Sequence, residues 1–191
     1  MRRRKAIGSI LLTGGAVALG FGGYEWFTLT KTPDIPYLLS KKELLTDLAE
    51  TIIPATGTPG AKEAGVVEFM IPLLTECTDP KTLNVFIEGL QALEAHTASR
   101  YNKGFAQCTE KEREGILRHF EEKAQPVNRM LGRVKEKFLG GKFFDTLKQY
   151  TVEAYCISEK GATRALRYIP VPGRYEACIP LAPSQPAWAT K

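Results

Sequence analysis

The sequence predicts an all-α fold, a helical bundle of about five to six helices with an irregular proline-rich C-terminal strap. Three observations carry that prediction. Apolar residues recur at spacings of three and four from Leu44 to Tyr155. Capping residues, prolines and glycines punctuate the stripes where helices should start and stop. Beyond Gly161 the period is lost and prolines accumulate. A length of 191 residues suits a single domain. Hydrophobic and charged shares of 43% and 25% match a soluble globular chain with a packed core, and speak against disorder or a polytopic membrane protein.

The chain divides into residues 1–23, an export signal or N-terminal anchor, a linker over 24–39, and a single helical domain over 40–191 that includes a strap over 161–191. Arg2, Arg3, Arg4 and Lys5 precede Ile7 to Phe21, an uncharged stretch diluted by Gly8, Gly14, Gly15 and Gly20. That is the layout of an export signal. It falls short of the roughly 20 apolar residues of a membrane span, and interior glycines weaken it further as a helix. The pair Arg3 and Arg4 ahead of a weakly hydrophobic stretch points to the twin-arginine route, which carries folded cargo. The same residues also suit a positively charged anchor, with Tyr24 and Trp26 at the far interface. The net charge of +5 resides largely here, because removing these four basic groups leaves 22 basic against 21 acidic side chains. The remainder thus carries no excess of charge that would serve nucleic-acid binding.

In the domain, Ser40 and Glu43 have the spacing of a capping box and predict a helix from Lys41. Leu44, Leu45, Leu48, Ile52 and Ile53 form its apolar face, and Pro54 ends it. Residues 55–63 hold Gly57, Pro59 and Gly60 and read as a loop. Val66 to Leu74 reads as a buried helix bent or ended near Pro72. Asp79 and Pro80 supply an N-cap and a first-turn proline; Leu83, Phe86, Ile87, Leu90 and Leu93 follow, and Asn102-Lys103-Gly104 stops that helix. Thr109 and Glu112 form a second capping box ahead of Ile116, Leu117 and Phe120. Pro126 separates these from Val127 to Phe138, and after Gly140-Gly141 a last helix carries Phe143, Phe144, Leu147, Thr151 and Tyr155. The tail holds Pro170, Pro172, Pro180, Pro183 and Pro186, so few of its backbone N–H groups can join a ladder.

No catalytic signature stands in the sequence: there is no Cys-x-x-Cys, haem-attachment motif, nucleophile elbow, Walker loop or dinucleotide fingerprint. The glycines between Gly14 and Gly23 belong to the signal. Glu110, Glu112, Glu114, Glu121 and Glu122 are interspersed with basic residues, as on a solvated helix face. His96 and His119 are 23 residues apart and are each expected to be solvated or capping, not metal ligands. Cys77, Cys108, Cys156 and Cys178 all follow the signal, so export would place them where disulfides form. Three pairings are open. Cys77 and Cys108 flank a helix of about twenty residues, about 30 Å long, which argues against a bond between those two.

Leu48-Ala49-Glu50-Thr51-Ile52-Ile53-Pro54, continuing through Gly57, Pro59 and Gly60 to Val66, resembles the start of the gluconate 2-dehydrogenase subunit 3 family. Ser158-Glu159-Lys160-Gly161-Ala162, Leu166-Arg167-Tyr168, Pro170-Val171-Pro172-Gly173, Tyr175 and Cys178 resemble its C-terminal signature. Gly57 departs from an acidic residue common in the family, and Cys156 from an aromatic one. The resemblance implies a non-catalytic small subunit that assists maturation, export and assembly of a periplasmic FAD-dependent (GMC-type) dehydrogenase acting on sugars, sugar acids or polyols. It further implies FAD and the chemistry in a large flavoprotein partner, a haem-containing electron-transfer subunit, and no cofactor in this chain. Passage through the twin-arginine translocase would place the protein in the periplasm, anchored to the inner membrane if the N-terminus is uncleaved. The competing expectation is a membrane-tethered helical module for another envelope protein. The strap, with Tyr168, Pro170, Pro172, Gly173, Tyr175 and Cys178, is expected either to contact the partner or to pack on its own bundle. Extended proline-rich segments lose little entropy on docking, which favours the first role.

Overall fold

The computed structural model describes residues 31–124, 142–171, 173–174, 178, 180–181 and 183–189. Six α-helices are present among these residues: α1 (Ile35–Ser40), α2 (Lys42–Ile52), α3 (Val66–Glu76), α4 (Pro80–Tyr101), α5 (Glu110–Ala124) and α6 (Phe143–Ile157). A 3-10 turn over Phe105–Gln107 joins α4 to α5, and a π-helical turn over Gly161–Ala165 follows α6. The all-α expectation holds. The helix expected over Val127 to Phe138 lies outside the described residues, as does the N-terminal segment with Arg3 and Arg4.

Helix α6 is the hub and packs against α2, α3, α4 and α5. Its expected face is buried in full: Phe143, Phe144, Leu147, Thr151 and Tyr155. Opposite them stand Leu45 and Leu48 of α2, Val66, Met70 and Leu74 of α3, Phe86, Leu90 and Leu93 of α4, and Ile116 of α5, all fully enclosed. Two threonines share this apolar interior without leaving a polar group bare. The Thr97 hydroxyl donates to the Leu93 carbonyl and the Thr151 hydroxyl to the Leu147 carbonyl, each at 2.7 Å. This back-bonding within the helix satisfies the hydroxyl locally.

The expected cap at Asp79 is present. Its carboxylate accepts from the backbone N–H groups of Lys81 and Thr82 at 3.1 Å. Burial alone would raise its pKa, but these bonds and the Thr82 side chain hold the carboxyl below its usual range. At its other end α4 stops at Asn102, which takes the left-handed conformation (φ 53°). At Thr109, Glu112 reaches back as expected and accepts from the Thr109 N–H at 2.7 Å. The same carboxylate also takes the Thr109 hydroxyl and Lys103.

The cap expected at Ser40 is corrected. Ser40 and Glu43 do not form a capping box. Asp34 caps a turn earlier by accepting from the Tyr37 N–H at 2.9 Å, with Pro36 in the first turn. Ser40 therefore ends α1, its hydroxyl donating to the Tyr37 carbonyl at 2.7 Å, and α2 begins without a side-chain cap. Residues 35–39, expected in a linker, carry Leu38 fully into the core. They are fastened by Glu94 of α4, which takes the Tyr37 hydroxyl at 2.8 Å and Lys41 at 2.7 Å. Helix α3 runs through Pro72 to Glu76, so of the two alternatives expected there the helix does not end at that proline. The carbonyl that proline releases, that of Glu68, belongs to an exposed residue, where water can meet it.

Helix α4 crosses α6 at Gly89, where an added Cβ would run into Cβ and Cγ of Phe143. Those atoms are the root of the ring and cannot swing aside. Gly89→Ala gains about 1 kcal/mol of helix propensity but meets an overpacking cost of about 1–3 kcal/mol. The expected result is a net loss of stability, read as a lower denaturation midpoint in guanidinium at unchanged helix content.

Candidate functional site

The two signature segments meet in space at one end of the bundle. From α2, Glu50 reaches across the loop that follows it: its carboxylate accepts from the Ala55 N–H at 3.2 Å and the Lys62 N–H at 2.7 Å. The loop is further closed by the Ala61 N–H donating to the Ile53 carbonyl at 2.9 Å. Pro59, Gly60 and Ala61 are buried, whereas residues 54 to 58 stand exposed as a tip. Glu50 is thus a loop-holding carboxylate, committed to backbone donors.

From the other side comes the end of α6. The Tyr155 hydroxyl is buried and donates to the Pro59 carbonyl at 2.7 Å. Ser158, also buried, donates to the Tyr155 carbonyl at 2.7 Å and accepts from the Gly161 N–H at 3.1 Å, which turns the chain. Gly161 is required because any Cβ would collide with the Tyr155 carbonyl. On the rim, Glu63 pairs with Lys160 and Arg164 at 3.4 Å. All three side chains are about half exposed, so these pairs add little stability.

After this turn the chain runs outward and closes on itself. Arg167 donates its N–H to the Ala187 carbonyl at 2.8 Å and accepts from the Ala189 N–H at 3.0 Å. Its guanidinium lies 4.4 Å from the centroid of the Trp188 ring. Between these ends, the described strap residues Tyr168, Pro170, Val171, Gly173, Cys178 and Leu181 are exposed. Val171 and Leu181, at 79% and 80%, are the most exposed of the large apolar residues described. Pro172 and Tyr175 lie outside the described residues. The expected contact set did not include Leu181 or Trp188; a tryptophan and a leucine among the tail prolines were the available signal.

The cysteines are free thiols. Cys77 and Cys178 are exposed, Cys156 is half-buried and Cys108 is buried. Burial pushes the Cys108 thiol up, and it donates weakly to the Gly104 carbonyl at 3.5 Å, the reverse of an activated nucleophile. An unbroken 22-residue α4 separates Cys77 from Cys108, as expected. The histidines depart from expectation. His96 and His119 are not separately solvated; their rings stack with centroids 4.3 Å apart. Among the described residues no third His, Cys, Asp or Glu joins them to form a metal cluster.

A cavity of about 330 Å³ is lined by Glu50, Thr51, Cys108, Glu110, Arg113 and Glu114, among others. Its cation is committed to the fold: Arg113 donates to the Cys108 carbonyl at 3.1 Å and the Ala106 carbonyl at 2.7 Å. What the geometry provides is a firmly held scaffold that displays a loop tip and a strap.

That arrangement defines an all-α helical scaffold. The sequence model of the gluconate 2-dehydrogenase subunit 3 family matches residues 40–173, and the chain belongs to that family. By that description it is an accessory subunit type of a gluconate dehydrogenase complex. No curated protein and no solved structure matches the chain. Leu181 and Trp188 lie beyond the matched residues.

The Tyr155 bond carries a directly testable cost. Tyr155→Phe keeps the ring and leaves the buried Pro59 carbonyl without its donor, a loss of about 1–3 kcal/mol. Chemical denaturation should show that decrease at unchanged helical circular dichroism.

Proposed function

We propose that this chain is the non-catalytic escort subunit of a periplasmic FAD-dependent (GMC-type) dehydrogenase that oxidises sugars, sugar acids or polyols. The large flavoprotein holds FAD and performs the chemistry, and a haem-containing subunit takes the electrons. The present chain binds the flavoprotein and accompanies it through the twin-arginine translocase by way of Arg3 and Arg4. The complex then resides in the periplasm, held at the inner membrane where the N-terminus stays uncleaved. Family membership supports the assignment to a dehydrogenase complex.

The observation that carries the docking part of this reading is the strap. Tyr168, Val171, Leu181 and Trp188 expose apolar surface within 21 residues of sequence. Arg174 lies in the same stretch and Arg164 and Arg167 just before it, against Glu176 alone. Aromatic residues and arginine are enriched at interface centres, and here Tyr168 and Trp188 stand with exposed aliphatic surface on a segment closed at its base by the Arg167–Trp188 contact. A partner face that is apolar with acidic margins would complement it.

The test is recovery of the C-terminally tagged full chain from its native envelope, with visible absorption recorded on the eluate. The wild type should bring down a stoichiometric large chain with a flavin spectrum. Val171→Asp combined with Leu181→Asp should lower that recovery by about tenfold or more, since each tenfold is only about 1.4 kcal/mol of binding. A colourless lone chain from the wild type contradicts the complex, and full recovery by the double variant contradicts the strap as its contact.

A further inference from the structure

The only two histidines of the chain come from different helices, His96 from α4 and His119 from α5. They meet face to face, with centroids 4.3 Å apart and ring planes within 7° of parallel. Both are half-buried. Phe120 stands edge-on to both, at 5.9 Å from His96 and 5.6 Å from His119. It passes the contact on to Phe143 of α6 at 5.7 Å. The stack is therefore part of the joint between α4, α5 and α6, not a pair of surface side chains that happen to touch.

The electrical surroundings of His96 are one-sided. The charges bearing on His96 are His119 and Lys123 from α5 and Arg100 from its own helix, all cationic. From α6 the neighbour in this chain of rings is Phe143, which is apolar. Lys123 also lies 5.9 Å from the Phe120 centroid. Among the described residues, the groups acting on His96 include no carboxylate. A neutral imidazole stacks well on its twin, and one proton shared with the pair is tolerable. A second proton sets two like charges face to face in a half-buried site with further cations at its edge.

We propose that His96 and His119 form a proton-sensitive clasp that closes the α4–α5 joint while at least one ring is neutral and loosens it when both are protonated. Loosening has a defined consequence, because Phe120 also lines an apolar groove of about 440 Å³ with Gly89, Ala92, Phe143 and Phe144. Acidification would thus alter an apolar surface of the bundle through the one residue type that titrates near neutrality without perturbation. Burial, then His119, Lys123 and Arg100, holds His96 below the ordinary imidazole range. A base held low in this way contributes stability that is complete above the unfolded value of about 6.5 and is lost as pH falls from there through the lower folded value.

Imidazole nitrogen NMR on the purified full chain reads the pair directly. The His96 titration is expected below the ordinary imidazole range. Thermal unfolding supplies the second readout. The wild-type Tm should fall on the order of 3 °C further than that of His119→Phe between about pH 7.5 and about pH 5. The phenylalanine keeps a stacked ring and removes the second proton, and His96→Phe makes the same comparison from the other side. Carboxylates that titrate in this range are common to all three proteins and cancel. Two ordinary, coincident histidine titrations overturn the clasp, as does a Tm slope that neither variant changes.

Discussion

Tyr155 reaches back 96 residues to the Pro59 carbonyl, and much of the signature-bearing end of this protein depends on that one buried bond and the carboxylate that faces it. The loop after α2 has no regular structure of its own to satisfy its backbone. Its inner residues, Pro59 to Ala61, are nonetheless buried, a situation tolerable only if donors and acceptors are found for them. The Ile53 carbonyl accepts from Ala61 and the Tyr155 hydroxyl donates to Pro59, while Glu50 takes the N–H of the adjoining Lys62. Because Tyr155 sits on the hub helix α6, the loop is registered against the whole core. Because Ser158 and Gly161 turn the chain immediately afterwards, the start of the strap is registered too.

This explains why the two family-like segments, far apart in sequence, behave as one feature. Each alone is a fragment: a glycine- and proline-rich loop, and a serine-glycine turn. Together they build a seam whose outer parts, the tip at residues 54–58 and the strap, are left free to be displayed. A subunit that serves a partner needs display surfaces that do not collapse onto its own core, and a seam held by polar bonds provides this without a large apolar patch.

How much of this the sequence disclosed follows from the range of each interaction. Helical periodicity is a local property, so Leu83 to Leu93 and Phe143 to Tyr155 announced their helices and their buried faces correctly. Asp79 with Pro80 was equally plain. The same logic misled at Ser40, where the spacing to Glu43 imitated a cap while Asp34 and Pro36 held the true one. The roles of Glu50 and Tyr155 were not legible, since a carboxylate in a helix and a tyrosine in an apolar stripe give no hint of which distant backbone group they will meet. His96 and His119 each faced the polar side of a helix, and only the packing of α4 on α5 turned two solvated rings into a stack. The Arg167–Trp188 contact was hidden for the same reason, its partners being separated by the proline-rich tail.

Native-state amide hydrogen exchange on the full chain tests the seam most directly, because it reads opening residue by residue. The amides of Ala61 and Lys62 in the loop and Gly161 in the turn should be protected and should open together, with protection falling at all three in Tyr155→Phe. Free exchange at Lys62 and Gly161 beside a fully protected α6 would contradict the account, and would make the loop and the turn independent of the core.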